Sequence, residues 1–342
     1  MEYGASDLHL RRSHVRIIAE DEQVVLDRRI DTTREAFTAV FGARPRMRVL
    51  VESSTESEWV AQHVEGLGHD VVVVDPNYAA MYGARSRRIK TDKRDVAAMA
   101  VANRRGVFRP AHRASRAARD LRQQLRVRRQ LVQQRAALIN LLRSLLRQAG
   151  LRLATGTAEH VLTRLDRVAL PADLATTLGP VRTMLATLTA TLRAIDETLE
   201  RRAVADPVTQ RLMTAPGVGP VLALTFQATL DTPARFGGDA RRVSAFAGLV
   251  PAEDSSAERR HQGHITKTGP RELRALLVQA AWVIWRMKAP RAAALRTWAQ
   301  TLAARRGKRI AMVAVARRLT RILYALWRDD TVFTWKTSAV AA

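Results

Sequence analysis

Two adjacent serines, Ser255 and Ser256, stand in a polar segment that is crowded with cationic side chains. A serine hydroxyl attacks phosphorus when a base activates it and nearby cations stabilise the charge that develops. His261 or His264 would be the proton relay, although surface histidines more often have no such role. Loop serines are also usually not catalytic, so residue type alone leaves both readings open. The cations that would hold phosphate groups here are Arg259, Arg260, Lys267, Arg271 and Arg274.

Four acidic residues in the first hundred positions could hold a metal ion. Asp7 lies just before the first clear predicted strand, and Glu52 ends a short apolar run. Asp92 and Asp95 are three apart, so they face one side of a predicted helix. Such carboxylates suit Mg²⁺, and two ions can clamp the oxygens of a phosphoryl transfer. The alternative makes Asp92 a helix N-cap and Asp95 a solvated or arginine-paired residue.

The elements that must position these carboxylates alternate between strands and helices. The residues before Asp7 are too polar and too few to indicate a strand clearly. Alternating or apolar runs predict strands over 13–19, 22–30, 47–52 and 70–75, and helical spacing predicts helices over 33–41, 57–67 and 92–103. This order is typical of an RNase H-like α/β fold.

A basic helical segment follows the alternating region. Residues 104–150 contain thirteen arginines and one acid, Asp120, with leucines at helical spacing. Pro171, Gly179 and Pro180 predict the turn of a helical hairpin, so we expect a coiled-coil arm. Structured RNA would suit its cations, while an ordinary oligomerisation coil is the alternative. The candidate phosphate contacts in this segment are Arg122, Arg126 and Arg129.

The last third of the chain is predicted to be mainly helical. A Pro-Gly-x-Gly turn containing Gly217 and Gly219 joins two short helices, and its backbone N–H groups are a candidate phosphate site. A plain tight turn is the alternative. Residues 248–269 are polar and glycine-punctuated, which predicts a loop or hairpin, and 272–287 and 309–328 have the pattern of core helices.

The composition favours a polyanionic partner. The 342 residues carry a formal net charge of +25, and clustering of the arginines argues against a generally arginine-rich composition as the whole reason. Cysteine is absent, which excludes disulfides and thiolate metal sites. No long uncharged apolar run or signal-peptide pattern occurs, so we expect a cytoplasmic protein without a membrane partner.

Both halves of the chain resemble one family, the IS110-type insertion-sequence transposases, which act as bridge-RNA-guided recombinases. The stretches AFAGLVPAEDSS and RRHQGHITKTGPRELRALLVQAAW carry the resemblance at the C-terminal side, and VLVESSTESEWV, HDVVVVDP and KTDKRDVAAMA carry it at the N-terminal side. The resemblance implies a RuvC-like DEDD domain over 1–104, a coiled-coil arm over 105–205 and a serine domain over 206–330, with a tail over 331–342.

The resemblance also implies roles for individual residues. Asp7, Glu52, Asp92 and Asp95 would form the DEDD site for Mg²⁺. The family's Ser-Ser-Gly motif matches Ser255, Ser256 and Ala257, and we expect Ser256 to be the nucleophile, with Ser255 second. Ala257 departs from the family's glycine, which restricts the backbone if that position needs a positive φ.

The implied activity is excision and insertion of a mobile DNA element. A structured guide RNA would choose the sites, and a dimer or tetramer would bring one subunit's carboxylates to another's serine. Two alternatives stay open at this point. One is a metal-dependent RuvC-like junction nuclease that uses only the carboxylates, and the other is a catalytically reduced nucleic-acid-binding protein.

Overall fold

The computed structural model describes residues 1–83, 91–256 and 259–334, and within 254–262 only the backbone. The chain divides into two compact units, Met1–Ala114 and Ser115–Ala342. The first combines a mixed sheet with helices, and the second is mainly helical. The first unit extends beyond residue 104 because the following segment bonds to its sheet: Ala111 donates its backbone N–H to Val73 O at 2.8 Å.

The first unit contains five strands and three helices. The strands are β1 (Tyr3–Asp7), β2 (Arg12–Ile18), β3 (Val24–Asp31), β4 (Arg48–Glu52) and β5 (Asp70–Val74). The helices are α1 (Arg34–Phe41), α2 (Ser57–Gly66) and α3 (Asp92–Arg105), with a 3₁₀ turn at Ala79–Tyr82. The strand order is β3-β2-β1-β4-β5, antiparallel among the first three strands and parallel from β1 through β4 to β5. This arrangement is consistent with the RNase H-like order predicted from the sequence.

The stretch before Asp7 is a strand, so the expectation that Asp7 precedes the first strand is wrong. β1 is the central strand and all five of its residues are buried. Its small residues suit this position, because a Cβ on Gly4 would lie 3.1 Å from Cγ2 of Val49 on β4. The pattern was missed because a strand buried on both faces shows no polar–apolar alternation, and Gly4, Ala5 and Ser6 do not form an apolar run either.

Helices cover both faces of the sheet. On one face α3 contributes Val96 and Met99 to an apolar cluster with Ala5 and Leu50. On the other face α1 and α2 form a second cluster, which includes Phe37, Phe41, Val49, Val51, Val60 and Val64. Successive residues of β4 therefore point to opposite layers, as the period of two in a strand requires.

The second unit contains nine helices and one hairpin within its described residues. The helices are α4 (Arg116–Gln148), α5 (Val161–Leu165), α6 (Ala172–Ala205), α7 (Pro207–Met213), α8 (Pro220–Leu230), α9 (Ala240–Phe246), α10 (Arg271–Arg286), α11 (Ala293–Arg306) and α12 (Lys308–Arg328). The hairpin strands are β6 (Pro251–Ser256) and β7 (Arg259–Ile265). Helix α11 was not predicted, since its run of alanines gives little apolar periodicity.

The predicted turn at Gly179 and Pro180 is wrong, because α6 continues through both residues. The chain reverses earlier, in the segment after Gly150, and α6 returns along α4. A proline removes one helical hydrogen bond, but Pro180 is exposed while Leu178 and Leu185 on either side of it are buried. Packing of the apolar face thus outweighs the local penalty.

The α4–α6 pair belongs to two separate apolar clusters. Near the C-terminal end of α4, Ile139, Leu142 and Leu146 pack with residues of α5 and α6. Near its N-terminal end, Leu121 and Leu125 pack with residues of α6 and α8. The largest core joins α7 to α12, with Phe226, Leu277, Leu319 and Tyr324 among its fully buried members. Within the described residues, no helix is both long and apolar enough to cross a membrane.

Candidate functional site

Asp7 and Glu52 end two neighbouring parallel strands. Ser6 of β1 pairs with Val51 of β4, so the next residue on each strand lies at the same edge of the sheet. The period of two places Asp7 on the same face as Ala5, and Glu52 on the same face as Leu50. That is the face that α3 covers. The strand ends thus bring the two carboxylates to one place below α3.

The first turn of α3 supplies the other two carboxylates. Thr91 is the N-cap, and its hydroxyl accepts a hydrogen bond from the backbone N–H of Arg94. The alternative in which Asp92 is the N-cap is therefore wrong. Asp95 is only 5 % exposed, which rules out a solvated role. Asp92 is partly exposed and accepts a hydrogen bond of 3.1 Å from Arg29. The positive end of the α3 dipole favours carboxylates at this turn.

His9 connects Asp7 with Asp92. Its Nε2 lies 3.6 Å from Oδ2 of Asp7 and 3.5 Å from Oδ2 of Asp92. One ligand atom from each of the three residues lies within 4.8 Å of the others. The sequence analysis gave His9 no role. Its signal was the spacing of two residues from a candidate metal ligand.

Tyr82 contacts Glu52, one of the two remaining carboxylates. Its hydroxyl donates a hydrogen bond of 3.3 Å to Oε2 of Glu52. Burial raises the pKa of the Tyr82 phenol, and the negative charges of Glu52, Asp95 and Asp7 raise it further. The four predicted carboxylates thus lie at one end of the sheet and in the first turn of α3, but only Asp7 and Asp92, with His9, offer ligand atoms close enough together for one ion. Nothing in the sequence pattern pointed to Tyr82.

A buried histidine stands beside the carboxylates on β2. His14 is the cross-strand partner of Asp7, so both side chains lie on the face covered by α3. Its Nε2 lies 2.6 Å from Oδ1 of Asp27. The other oxygen of that carboxylate, Oδ2, accepts a hydrogen bond of 2.9 Å from Arg16. Its Nδ1 is buried and has no hydrogen-bond partner among the described residues. The sequence analysis placed His14 in a strand and gave it no chemical role.

The donor set fits a hard divalent cation. Carboxylate oxygens are the ligands that Mg²⁺ and Mn²⁺ prefer, and imidazole suits several transition metals. Opposite ligands around Mg²⁺ lie about 4.2 Å apart at bond lengths of about 2.1 Å. The spread of 4.8 Å among Asp7, His9 and Asp92 is close to that separation. Glu52, at the neighbouring strand end, and Asp95, in the first turn of α3, are not members of this set.

The two serines lie at the end of a β-hairpin. The backbone of Ser255 pairs with Arg260 and that of Ser256 with Arg259. Ala257, the departure from the family motif, lies outside the described residues, as do the side chains of both serines and both arginines. The nucleophilic role of Ser256 or Ser255 stays a prediction. The pairing indicates that the serine backbones are held in extended conformation.

The base of this hairpin is packed too closely to admit side chains. Gly248 has φ +66°, and a Cβ there would collide with the carbonyl oxygen of Thr268. Gly269 has φ +72°, and a Cβ there would collide with the carbonyl oxygen of Phe246. Only glycine adopts such a conformation at no steric cost. The two ends of the hairpin are therefore fixed against each other and against α9.

Arg274 fastens the same base from α10. Its Nη1 donates to Ala247 O at 3.1 Å and to Thr268 O at 2.9 Å, one carbonyl from each end of the hairpin. The sequence analysis made Arg274 a phosphate contact. In the structure its guanidinium instead bonds backbone groups that position the serine strands.

Some of the other predicted nucleic-acid contacts bond to or pack against the protein itself, and others are exposed. A Cβ on Gly217 would lie 2.8 Å from Ala280 O, so this glycine permits close packing of its turn on α10. Arg122 donates to Ala228 O at 2.7 Å and Thr229 O at 3.1 Å, at the end of α8. Arg129 lies 3.5 Å from Glu272. The exposed members are Arg122, Arg126, Gly219, Lys267 and Arg271.

Comparison with known proteins places both units in one family. Residues 5–150 match the model of the IS110-type DEDD transposases, and residues 209–296 match that of the transposase IS116/IS110/IS902 family. The chain is 30 % identical over 266 residues to the transposase for insertion sequence element IS1111A of Coxiella burnetii, covering 76 % of this chain and 72 % of that protein.

A second relative spans almost the whole chain. It is a probable family 20 transposase of Pseudomonas aeruginosa, 28 % identical over 333 residues, covering 96 % of this chain and 97 % of the relative. The transposase for insertion sequence element IS1328 of Yersinia enterocolitica is 26 % identical over 337 residues, with the same two coverages. The chain therefore belongs to the IS110 family of insertion-sequence transposases and is a DNA transposase.

Proposed function

We propose that this transposase cuts and rejoins DNA through a covalent phosphoserine intermediate, with Mg²⁺ held by Asp7, Glu52, Asp92 and Asp95. The observation that carries the proposal is the set of Asp7, His9 and Asp92, whose ligand atoms lie within 4.8 Å of one another, with Glu52 at the neighbouring strand end and Asp95 in the first turn of α3. The match to a DEDD domain implies a divalent metal in general. Mg²⁺ in particular is our choice, because the donors are mainly carboxylate oxygens. The strand order supports kinship with RuvC-like domains.

The metal would act as a Lewis acid toward a phosphodiester. Asp7 and Glu52 would bind it from the two strand ends, and Asp92 and Asp95 from the helix. Tyr82 donates a hydrogen bond to Glu52 and so holds that carboxylate in place. Arg29 restrains Asp92 in the same way.

The serine step conserves one phosphodiester-like bond. The Oγ of Ser256 forms a bond to phosphorus while the bond from phosphorus to one deoxyribose oxygen breaks. The serine proton passes to a base, and the leaving oxygen takes up a proton. Attack by a DNA hydroxyl on the phosphoserine reverses these changes and rejoins the strand without external energy. We expect Ser256 to act and Ser255 to be second, because Ser256 occupies the family's position before the usual glycine.

We further propose that a structured guide RNA selects the DNA sites and that a dimer or tetramer assembles the reaction centre. The carboxylates belong to unit Met1–Ala114 and the serine hairpin to unit Ser115–Ala342, and the reaction requires both at one phosphate. The net charge of +25 supports binding of both nucleic acids. The arginine-rich helix α4 supports RNA binding along the arm.

A trapping experiment tests the proposal. The full-length protein is incubated with Mg²⁺, its co-purified RNA and a DNA duplex carrying the element end, then denatured and run on a gel. We expect a protein–DNA adduct that Ser256→Ala abolishes and Ser255→Ala does not. Asp95→Asn should abolish it as well, whereas Asp70→Asn, an exposed carboxylate paired with Arg46 at 2.7 Å, should leave it unchanged.

The outcomes separate the alternatives. Free cut ends without an adduct would show a junction nuclease that uses only the carboxylates. Loss of the adduct after ribonuclease treatment supports RNA guidance, and an unaffected yield contradicts it. An adduct that persists in both serine variants refutes the phosphoserine mechanism.

A further inference from the structure

A stripe of arginines on α12 is not used by the site described above. Arg317, Arg318 and Arg321 lie at spacings of one to four residues, so they project over about one helical turn, or roughly 6 Å of axis. With Trp298 of α11, Ile322 and Arg328 they line an open groove of about 800 Å³. The groove lies wholly within the second unit.

The stripe has no internal charge compensation. Within the described part of the chain, no carboxylate lies within 4.0 Å of Arg317, Arg318 or Arg321. Like charges at spacings of three and four residues destabilise a helix by a few tenths of a kcal/mol per pair. Arg328 differs, since it pairs with Asp329 at 2.6 Å and donates to Gly238 O at 2.7 Å. Three uncompensated cations on one turn favour an external polyanion.

The aromatic ring in the groove holds an arginine and is not free to stack on a base. The guanidinium carbon of Arg318 lies 4.8 Å from the centroid of the Trp298 ring. This contact orients Arg318 before any ligand arrives and so reduces the entropy lost on binding. It also covers the ring face that a single-stranded base would need. The groove therefore suits a phosphate backbone better than unpaired bases.

We propose that the α12 arginine stripe, Arg317, Arg318 and Arg321, is a binding site for the phosphate backbone of duplex DNA. DNA is the substrate of a transposase, so this proposal rests on the family membership and not on the serine mechanism. Its contacts are sequence-independent and position the duplex on the second unit. None of the phosphate contacts predicted from the sequence lies on α12.

The test measures the affinity of the full-length protein for a random-sequence 30-base-pair duplex as a function of salt. Each lost phosphate contact lowers the slope of log K against log salt by about 0.9. Arg317→Gln with Arg321→Gln should reduce the slope by about 2 and weaken binding about tenfold or more at 0.1 M salt. Arg305→Gln with Arg306→Gln is the matched control, since both are exposed in the last turn of α11 and change the net charge equally.

Thermal unfolding of the same variants separates binding from folding. Removing like-charge repulsion from α12 should leave the melting temperature unchanged or raised, while DNA affinity falls. A lowered melting temperature with an unchanged salt slope would refute the proposal, as would equal slopes for the two double variants. If duplex affinity is kept and only binding of the co-purified RNA is lost, the stripe is an RNA site and the proposal is wrong.

Discussion

The hydroxyl of Tyr82 lies 3.3 Å from Oε2 of Glu52 and donates to it. The bond joins the turn after β5 to the end of β4, so it ties a phenol to a predicted metal ligand. It has a consequence for stability that can be measured without any activity assay. Because the pKa of Tyr82 is raised by burial and by three carboxylates, folding favours the neutral phenol.

Tyr82→Phe should therefore change the alkaline stability of the protein. Below the ordinary tyrosine pKa of about 10 the phenol is neutral in both states and stability does not depend on its titration. Above it the unfolded chain releases the proton first, so stability falls as pH rises. Because Tyr82→Phe lacks this titration, its free energy of unfolding should fall less steeply above pH 10, by up to about 1.4 kcal/mol per pH unit. Urea unfolding from pH 9 to 12 measures this, with Tyr78→Phe as control; identical slopes would contradict it.

His9→Ala should weaken divalent-metal binding about tenfold, because the imidazole lies between Asp7 and Asp92. Calorimetric titration with Mn²⁺ gives the affinity directly. His63→Ala is the control, since His63 bonds the hydroxyl of Thr38 at 2.9 Å on α1 and lies outside the carboxylate cluster. Equal Mn²⁺ affinities in both variants would show that His9 does not contribute to metal binding.

Gly269→Ala should destabilise the second unit by about 2 kcal/mol or more. The added Cβ would collide with Phe246 O, and φ is +72°. Gly263→Ala lies in the same hairpin, where its Cβ would stand 3.9 Å from Ala252 O, so it should be nearly neutral. Urea unfolding compares the two. Similar unfolding free energies for the two variants would show that the backbone at the hairpin base shifts to accommodate the added Cβ.

Arg274→Met should loosen the serine hairpin without unfolding α10. It removes the hydrogen bonds to Ala247 O and Thr268 O, each worth roughly 0.5–1.5 kcal/mol. We expect amide hydrogen exchange across 249–266 to quicken about tenfold and the covalent adduct to fall in yield. Arg286→Met, an exposed position in the last turn of α10, should change neither. Unchanged exchange with a reduced adduct would instead point to direct phosphate contact by Arg274.

Pro180→Ala should stabilise the protein by about 1–3 kcal/mol, because Pro180 is an exposed residue inside α6 that lacks the helical N–H. Pro171→Ala precedes the first helical turn and should have little effect. Thermal unfolding of both variants is the measurement. Destabilisation by Pro180→Ala would mean that the proline has a packing role.

The contrast between Pro180 and Gly4 shows where sequence patterns succeed and fail here. Local signals predicted most helices and the other four strands of the five-stranded sheet, because those elements are amphipathic or apolar at a regular period. They failed at β1, whose small buried residues suit a neighbouring strand, and at Pro180, where burial of Leu178 and Leu185 decides the outcome. Both failures are tertiary effects that no window of adjacent residues contains.

The sequence predicted part of the candidate site, as it predicted part of the fold. Glu52, Asp92 and Asp95 could be named from a strand end and from helix spacing, which follow from local periodicity, whereas Asp7 was named although its strand, β1, was not predicted. Tyr82, His9 and His14 could not be given roles, because their partners lie on other elements. Arg274 was assigned to phosphate because its charge was visible and the two carbonyls that it bonds were not.

Helix α4 takes part in two cores that are separated along its length by two heptads, from Leu125 to Ile139, or about 21 Å. Deleting seven residues from the middle of α4 and seven from the facing part of α6 would keep the apolar side of each helix in phase. The reach of the hairpin would shorten by about 10 Å while both ends keep their packing. The length of the helical pair can therefore change without altering the packing at either of its ends.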